Sequence, residues 1–192
     1  MTDPLSLKFK ALTPARWGDF EKLFGPRGAG AGCWCMFWKL PNKDFQALAY
    51  EGNKAAQKAI VDGGRAPGLL AYAGKDAVGW VAVEPRQDYP RLARSRVLKP
   101  VDEQAVWSIT CFFTRRDQRG HGISVALLKA CIEHVRKHRG RILEGYPTEP
   151  KSGKLPAPFV YTGLASASRE AGFTEVARRS ETRPIFRYVI GG

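Results

Sequence analysis

The stretch from residue 106 to residue 135, VWSITCFFTRRDQRGHGISVALLKACIEHV, decides the fold. It opens with an apolar, β-branched and aromatic run, which meets a basic corner at residues 114–119 and then a glycine turn. Beyond the turn, apolar residues recur at the spacing of one helix face, at Val125, Leu128, Ile132 and Val135. The pattern therefore predicts a strand that passes through a glycine turn into an amphipathic helix.

The glycine turn has the composition of an anion-binding corner. Glycines let backbone N–H groups approach an anion closely, and the helix N-terminus adds a partial positive charge. Two common nucleotide motifs do not fit the turn. A P-loop needs a Lys and then a Ser or Thr after its last glycine, where this chain has Ile123 and Ser124, and a dinucleotide fingerprint needs a glycine at Val125. The sequence thus predicts a phosphate site of another type.

The same corner resembles the acetyl-CoA motif of the GCN5-related N-acetyltransferase (GNAT) family, Arg/Gln-x-x-Gly-x-Gly/Ala. The matching positions are Arg119, Gly122 and Ser124. Ser124 departs from the usual Gly or Ala, which crowds the last amide of the loop. The order of the predicted elements extends the resemblance along nearly the whole chain.

The predicted elements lie on both sides of the motif. Downstream, they are a strand at 141–146, a helix at 164–171 stopped by Gly172-Phe173, and closing strands at 173–178 and 185–190. Upstream, they are a strand at 5–12, a helix starting at Thr13-Pro14 with Thr13 as N-cap, a helix at 42–61, and a hairpin of strands 69–72 and 78–84. The resemblance implies one α/β (α+β) domain over residues 1–192, with a mixed central sheet of about seven strands flanked by about four helices.

The resemblance further implies that acetyl-CoA is the cosubstrate, that no metal is required, and that the acetyl group passes directly from the thioester to a primary amine of a small molecule or protein. The backbone of residues 112–114 would hold the pantetheine arm and polarise the thioester carbonyl. Basic residues at 115–119 match the phosphates of CoA. The residues expected to bind the cosubstrate are Phe112, Phe113, Thr114, Arg119, Gly120, His121, Gly122, Ile123 and Ser124.

The attacking amine must be unprotonated, so a base is needed directly or through water. Glu84, at the end of one predicted strand, and Glu144, within another, are the acidic candidates. Period-two alternation places Glu144 on one face with Ile142 and Tyr146, which favours it if that face lines the cleft. The alternative for either residue is an exposed carboxylate at a strand end.

The general acid is less evident. In this family it is often a tyrosine four residues before the Gly-Phe pair, and here that position is Ser168. A serine hydroxyl is a much weaker acid than that of tyrosine. Tyr161 and Tyr146 are possible substitutes, and Tyr161 is favoured because its loop (residues 147–160, with four prolines) would lie near the thioester. The thiolate could also leave without dedicated help.

An unusual segment, Cys33-Trp34-Cys35-Met36-Phe37-Trp38, follows a glycine-rich run. Cys-x-Cys suggests a metal, but a closed zinc site needs four ligands, and only His134 and His138 lie one helical turn apart. Two interpretations remain open. The segment is either a buried aromatic plug, or a wall of the acceptor pocket, because the connection between the first two helices commonly lies over the acceptor site in the resembling family. In the second case the substrate-binding residues are Trp34, Met36 and Trp38.

Composition fits a single domain of 192 residues, 44% of them hydrophobic. No apolar run approaches a membrane span, the start Met-Thr-Asp-Pro lacks a signal-peptide pattern, and four cysteines suit a reducing compartment, so we expect a cytoplasmic protein that does not bind membranes. The net charge of +13 leaves open a second function, a non-catalytic CoA-sensing or basic RNA-binding module on the same fold. Edge strands of the closing pair offer a surface for a homodimer.

Overall fold

A seven-stranded mixed sheet lies at the centre of the protein. The computed structural model describes residues 6–151 and 159–191. Its strands are β1 Leu7–Ala11, β2 Gly68–Ala73, β3 Asp76–Pro85, β4 Trp107–Thr114, β5 Ile142–Gly145, β6 Thr174–Arg178 and β7 Pro184–Val189. They lie in the order β1-β2-β3-β4-β5-β7-β6. The predicted fold class is confirmed, although residue 5 of the first predicted strand and residues 152–158 of the predicted loop lie outside the described residues.

Five α-helices accompany the sheet. They are α1 Trp17–Phe24, α2 Asn42–Asp62, α3 Pro90–Arg94, α4 Ile123–Lys137 and α5 Ala165–Glu170. The sequence did not predict α3, because five residues are too short to show a helical period. A 3₁₀ turn at Pro14–Arg16 precedes α1, and the Thr13 hydroxyl accepts a hydrogen bond from Arg16 instead of capping a backbone N–H. A backbone φ of 46° at Ala49 interrupts α2. None of these helices is long and apolar enough to cross a membrane, within the described part of the chain.

The only parallel contact in the described sheet joins β4 to β5, and it is short. Residues 107–109 pair with residues 143–145, and β4 then continues to Thr114 without β5 beside it. A bulge accompanies the separation: Ala82 lies opposite Cys111 and Val83 lies opposite Ile109, so Thr110 is the extra residue. The two strands therefore open a cleft on one side of β4.

Separate hydrophobic cores cover the two faces of the sheet. On one face, α4 and α5 pack on a core that includes Val81, Ile109, Leu143 and Phe186. On the other face, α1 packs on a core rich in aromatic side chains. That core includes Trp17, Phe20, Phe24, Trp34 and Trp80.

The close approach of α4 to β3 depends on Gly79. A Cβ atom added at Gly79 would lie 2.8 Å from Cγ2 of Ile123 and 3.3 Å from Cδ1 of Leu127. Both partners belong to α4, and Ile123 is its first residue. A side chain at position 79 would therefore push away the helix end that follows the glycine turn.

We expect Gly79→Ala to lower the free energy of unfolding by about 1–3 kcal/mol, because the added methyl group overpacks a filled interface. Urea unfolding followed by circular dichroism measures the change. Gly18→Ala is the matched control, because its Cβ meets no atom within 4 Å and it lies within α1. Alanine should stabilise that helix by about 0.5–1 kcal/mol. Equal effects of the two substitutions would contradict the role given to Gly79.

Candidate active site

The turn between β4 and α4 has the geometry of an anion site. Gly120 has a φ of 81°, and Gly122 has a φ of 71° and caps α4 in the left-handed conformation. A Cβ at either glycine would meet no atom within 4 Å, so the positive φ, and not crowding within the protein, favours glycine here. The first N–H groups of a helix have no intrahelical acceptor, and this turn presents those of α4 toward solvent.

A hollow of about 230 Å³ lies at this helix end. Its lining includes Thr114, Gln118, Arg119, Gly120, Gly122, Ile123, Ser124, Val125 and Ala167. The exposed Arg119 donates from Nε to the Thr114 carbonyl at 3.2 Å, which holds its guanidinium at the rim. His121 is exposed on the same turn. The hollow thus combines unpaired helix amides with a fixed cation, as a pyrophosphate requires.

The free edge of β4 offers backbone groups beside this hollow. The N–H of Phe112 donates to the carbonyl of Tyr161 at 2.6 Å, which shows that it points away from β3. Because alternate residues of a strand share a direction, the Thr114 N–H also faces the open side, whereas Phe113 faces β3. Of the predicted backbone contacts, Thr114 is available and the Phe112 amide is occupied by Tyr161.

The structure places Glu144 inside a buried ionic network. Its side chain is 0% exposed and accepts hydrogen bonds from Arg86 at 3.0 Å, Arg187 at 2.7 Å and the Tyr146 hydroxyl at 2.7 Å. Arg187 also pairs with Asp102, and this contact holds the pKa of Asp102 well below its usual range. Two guanidinium groups therefore neutralise Glu144 and fix it in place. No local pattern predicts these partners, because they lie 43 and 58 residues from Glu144 along the chain.

Glu84 is also buried and paired, at 3% exposure. It contacts the Lys39 ammonium directly and accepts a hydrogen bond from Arg65 at 2.5 Å. Burial, with Arg65 as a second cause, lowers the pKa of Lys39 to about 7. The Lys39 amine also lies 4.9 Å from the ring centre of Tyr89. Sequence analysis missed Lys39, because nothing along the chain links it to a carboxylate 45 residues away.

The two candidate acids lie in different surroundings. Ser168 is buried in α5, where its hydroxyl donates to the Leu164 carbonyl one turn earlier at 3.4 Å. Tyr161 is half-buried beside the β4 edge, with its ring centre 6.4 Å from that of Phe37. Burial raises the pKa of Tyr161 to about 12. The other candidate tyrosine, Tyr146, belongs to the Glu144 network, and burial raises its pKa as well.

The segment at residues 33–38, here called the aromatic plug, has a divided role. Trp34 is 2% exposed and packs against Trp17 and Phe24, with ring centres 6.4 and 5.6 Å away. Met36 is equally buried. Trp38 is half-buried in a separate cluster with Tyr146. The structure thus places Trp34 and Met36 in the core, and leaves Trp38 as the predicted acceptor residue nearest to the surface.

Cysteine and histidine side chains form no group of three or more potential metal ligands within residues 6–151 and 159–191. The rings of His134 and His138 have centres 4.3 Å apart, and both pack on Trp107. Burial, with the neighbouring His138 as a second cause, lowers the pKa of His134 to about 4. These two histidines therefore act as packed side chains at the far end of α4 from the glycine turn.

Comparison with known proteins places this geometry in a family. The sequence pattern of the Acetyltransferase (GNAT) family matches residues 34–150, which include the glycine turn and both candidate bases. The chain belongs to the GNAT family. Curated protein sequences yield no match.

Solved structures agree with the GNAT fold. An acetyltransferase of the GNAT family from Streptococcus agalactiae is 10% identical, with 97% of this chain and 96% of that chain covered and a TM-score of 0.57. One from Streptococcus pneumoniae is 12% identical, with 97% and 100% covered and a TM-score of 0.52. The PaiA N-acetyltransferase from Thermoplasma acidophilum, in complex with coenzyme A, is 11% identical, with 96% and 99% covered and a TM-score of 0.52. At these identities the likeness shows the fold alone.

We expect Glu144→Gln to destabilise the protein, because it leaves two buried guanidinium groups without their shared carboxylate. The free energy of unfolding should fall by about 3–5 kcal/mol in urea titrations. Glu133→Gln is the control, because Glu133 makes an ion pair with Arg136 at 62% side-chain exposure and should contribute about 0–1 kcal/mol. A stable Glu144→Gln protein would show that the network is not structural.

Proposed function

We propose that this GNAT protein is an acetyl-CoA-dependent N-acetyltransferase that passes an acetyl group directly to a primary amine of a small molecule or protein. The observation that carries the proposal is the glycine turn at the start of α4, which lies beside the unpaired edge of β4. Acetyl-CoA has a polyanionic pyrophosphate and an amide-bearing pantetheine arm. To bind both parts, a protein needs an anion site and an open strand edge side by side. Membership of the family supports the same chemistry, and PaiA, a structural neighbour, binds coenzyme A.

The residues present fit such a cosubstrate. Amides at Gly122, Ile123 and Ser124, together with Arg119, would hold the pyrophosphate. Gly120 and His121 complete that turn. The Thr114 N–H would bind the pantetheine arm, and the Phe112 N–H would polarise the thioester carbonyl once it exchanges the Tyr161 carbonyl for that oxygen.

We favour Glu84 over Glu144 as part of the base. Glu144 is held by two arginines, whereas Glu84 is held by Arg65 and by Lys39, whose pKa lies near 7. A group with such a pKa exchanges protons readily at neutral pH. Lys39 and Glu84 together would thus accept the proton that the acceptor amine releases. Trp38, at the half-buried end of the aromatic plug, would contribute to the acceptor pocket.

Tyr161 is the proposed acid for the departing thiolate, in preference to Ser168. A pKa of about 12 keeps its hydroxyl protonated throughout the neutral range. We expect Tyr161→Phe to lower kcat by about 10²–10⁴-fold with little change in the Kd for acetyl-CoA. Stopped-time assays of CoA release, with Ser168→Ala as the control, measure the change. An unchanged kcat would show that the thiolate leaves unaided or that another group acts.

Cosubstrate binding is tested by calorimetric titration with acetyl-CoA. We expect Gly122→Glu to weaken binding about tenfold or more, because the new carboxylate repels the pyrophosphate. Gly64→Glu is a matched control: both glycines are exposed, have positive φ and would place Cβ in open space, but Gly64 lies after α2. The control should bind normally. Absence of binding by the folded wild type would overturn the proposal.

A non-catalytic CoA sensor or RNA-binding module is the second candidate. The occupied Phe112 amide and the buried Ser168 favour a CoA sensor, which would bind acetyl-CoA without releasing CoA to any amine. RNA binding is favoured less, because Arg178 and Arg187, two of the residues behind the net charge of +13, pair with carboxylates of this chain. RNA binding would show a steep salt dependence. The proposal includes a cytoplasmic location and a homodimer formed through the edge strand β6.

A further inference from the structure

Two cysteines on the α1 face of the sheet bring their sulfur atoms into contact. Cys35 belongs to the aromatic plug and Cys111 to β4, and their Sγ atoms lie 3.2 Å apart without a bond. The indole N–H of Trp80 donates to the Cys35 sulfur at 3.1 Å. The Cys35 thiol therefore accepts a hydrogen bond from the Trp80 indole and donates one to the Cys111 sulfur.

This contact differs from the usual packing of buried cysteines. A free cysteine in a core normally behaves as a small, inert hydrophobic residue, as Cys131 does in α4. Cys35 and Cys111 instead meet across 76 residues of chain. A disulfide has sulfur atoms about 2.05 Å apart, so the pair needs only about 1 Å of movement, within the reach of side-chain rotation.

Access favours reaction at Cys111. Cys35 is buried, whereas Cys111 is half-buried on the strand that borders the open cleft. A small oxidant therefore reaches Cys111 more readily than Cys35. Burial raises the pKa of the third thiol, Cys33, to about 11, and the hydrogen bond from Cys35, together with burial, raises the pKa of Cys111 as well, so the 3.2 Å contact with Cys35, and not thiolate formation, singles out Cys111.

We propose that Cys35 and Cys111 form a reversible disulfide when hydrogen peroxide reaches the cleft. The Cys111 sulfur attacks one peroxide oxygen, the O–O bond breaks, and sulfenic acid and water form. The Cys35 sulfur then attacks the sulfenic sulfur, the S–O bond breaks, and a second water leaves. The two sulfurs together lose two electrons, which reduce the peroxide to two waters. A small thiol reverses the reaction by exchange.

The disulfide would fasten the aromatic plug to the strand that borders the cleft. Cys111 directly precedes Phe112 and follows the bulge residue Thr110. The cross-link would close a long loop of chain and so restrict the unfolded state, and oxidation should raise the melting temperature. This inference does not depend on the proposed function, since thiols and melting are measured without acetyl-CoA.

The experiment oxidises the full chain with hydrogen peroxide and counts free thiols under denaturing conditions. The count should fall from four to two, and peptide mapping by mass spectrometry should find Cys35 joined to Cys111. Dithiothreitol should restore four thiols and the original melting temperature. Mapping on the wild type needs no substitution, so a variant that fails to fold leaves the test intact.

Three cysteine variants test which thiols form the disulfide. Cys111→Ser should keep its three thiols out of any disulfide and show no rise in melting temperature, whereas Cys131→Ser should still lose two thiols. Cys35→Ser should allow a dimedone reagent to trap sulfenic acid at Cys111. Four thiols retained by the oxidised wild type, a bond through Cys33, or oxidation to sulfinic acid without a bond would each overturn the proposal.

Discussion

The cleft of this protein exists because the parallel pairing between β4 and β5 covers only three residues of each strand. The pairing is pinned where the two strands meet, because Ser108 of β4 shares a 2.7 Å hydrogen bond with Tyr146, which in turn donates to Glu144 of β5. After Ile109 the pairing stops, and the bulge at Thr110 turns the remainder of β4 away. Because β4 and β5 are held together at one end only, a cleft opens between them while both strands remain in the sheet.

Buried charge secures the fixed end. Arg86 donates to Glu144, to the Tyr146 hydroxyl at 2.5 Å and to the Leu98 carbonyl at 2.6 Å, so a single guanidinium joins β5 to the loop before β4. Arg187 adds β7 and Asp102 to the same network. Satisfied partners on every side make such a network compatible with burial, whereas a single missing partner would leave a charge unpaired. The network around Glu144 is therefore structural: it holds β4, β5 and β7 together.

At the open end of the cleft, the groups available to a ligand belong mainly to the backbone. The free N–H of Thr114, the left-handed glycines and the first turn of α4 are main-chain features, and they lie in sequence within a dozen residues of chain. Gly79 lets α4 approach β3 closely enough to hold its N-terminus there. The Tyr161 carbonyl binds the same strand at Phe112, directly after Cys111, whose sulfur contacts Cys35, so the proposed cosubstrate site, the loop and the thiols all border β4.

The β4–glycine turn–α4 unit and the order of strands and helices follow from local pattern, and the sequence alone is enough to predict them. Local periodicity and glycine placement act over a few residues, so one chain segment suffices, and the residues of the anion site are predicted from the same pattern. Tertiary packing alone shows that Glu84 and Glu144 lie in buried ion pairs, that Lys39 is a partner of Glu84, and that Trp34 lies in the core. Their partners lie tens of residues away, and burial and charge pairing exist only once distant segments have packed together.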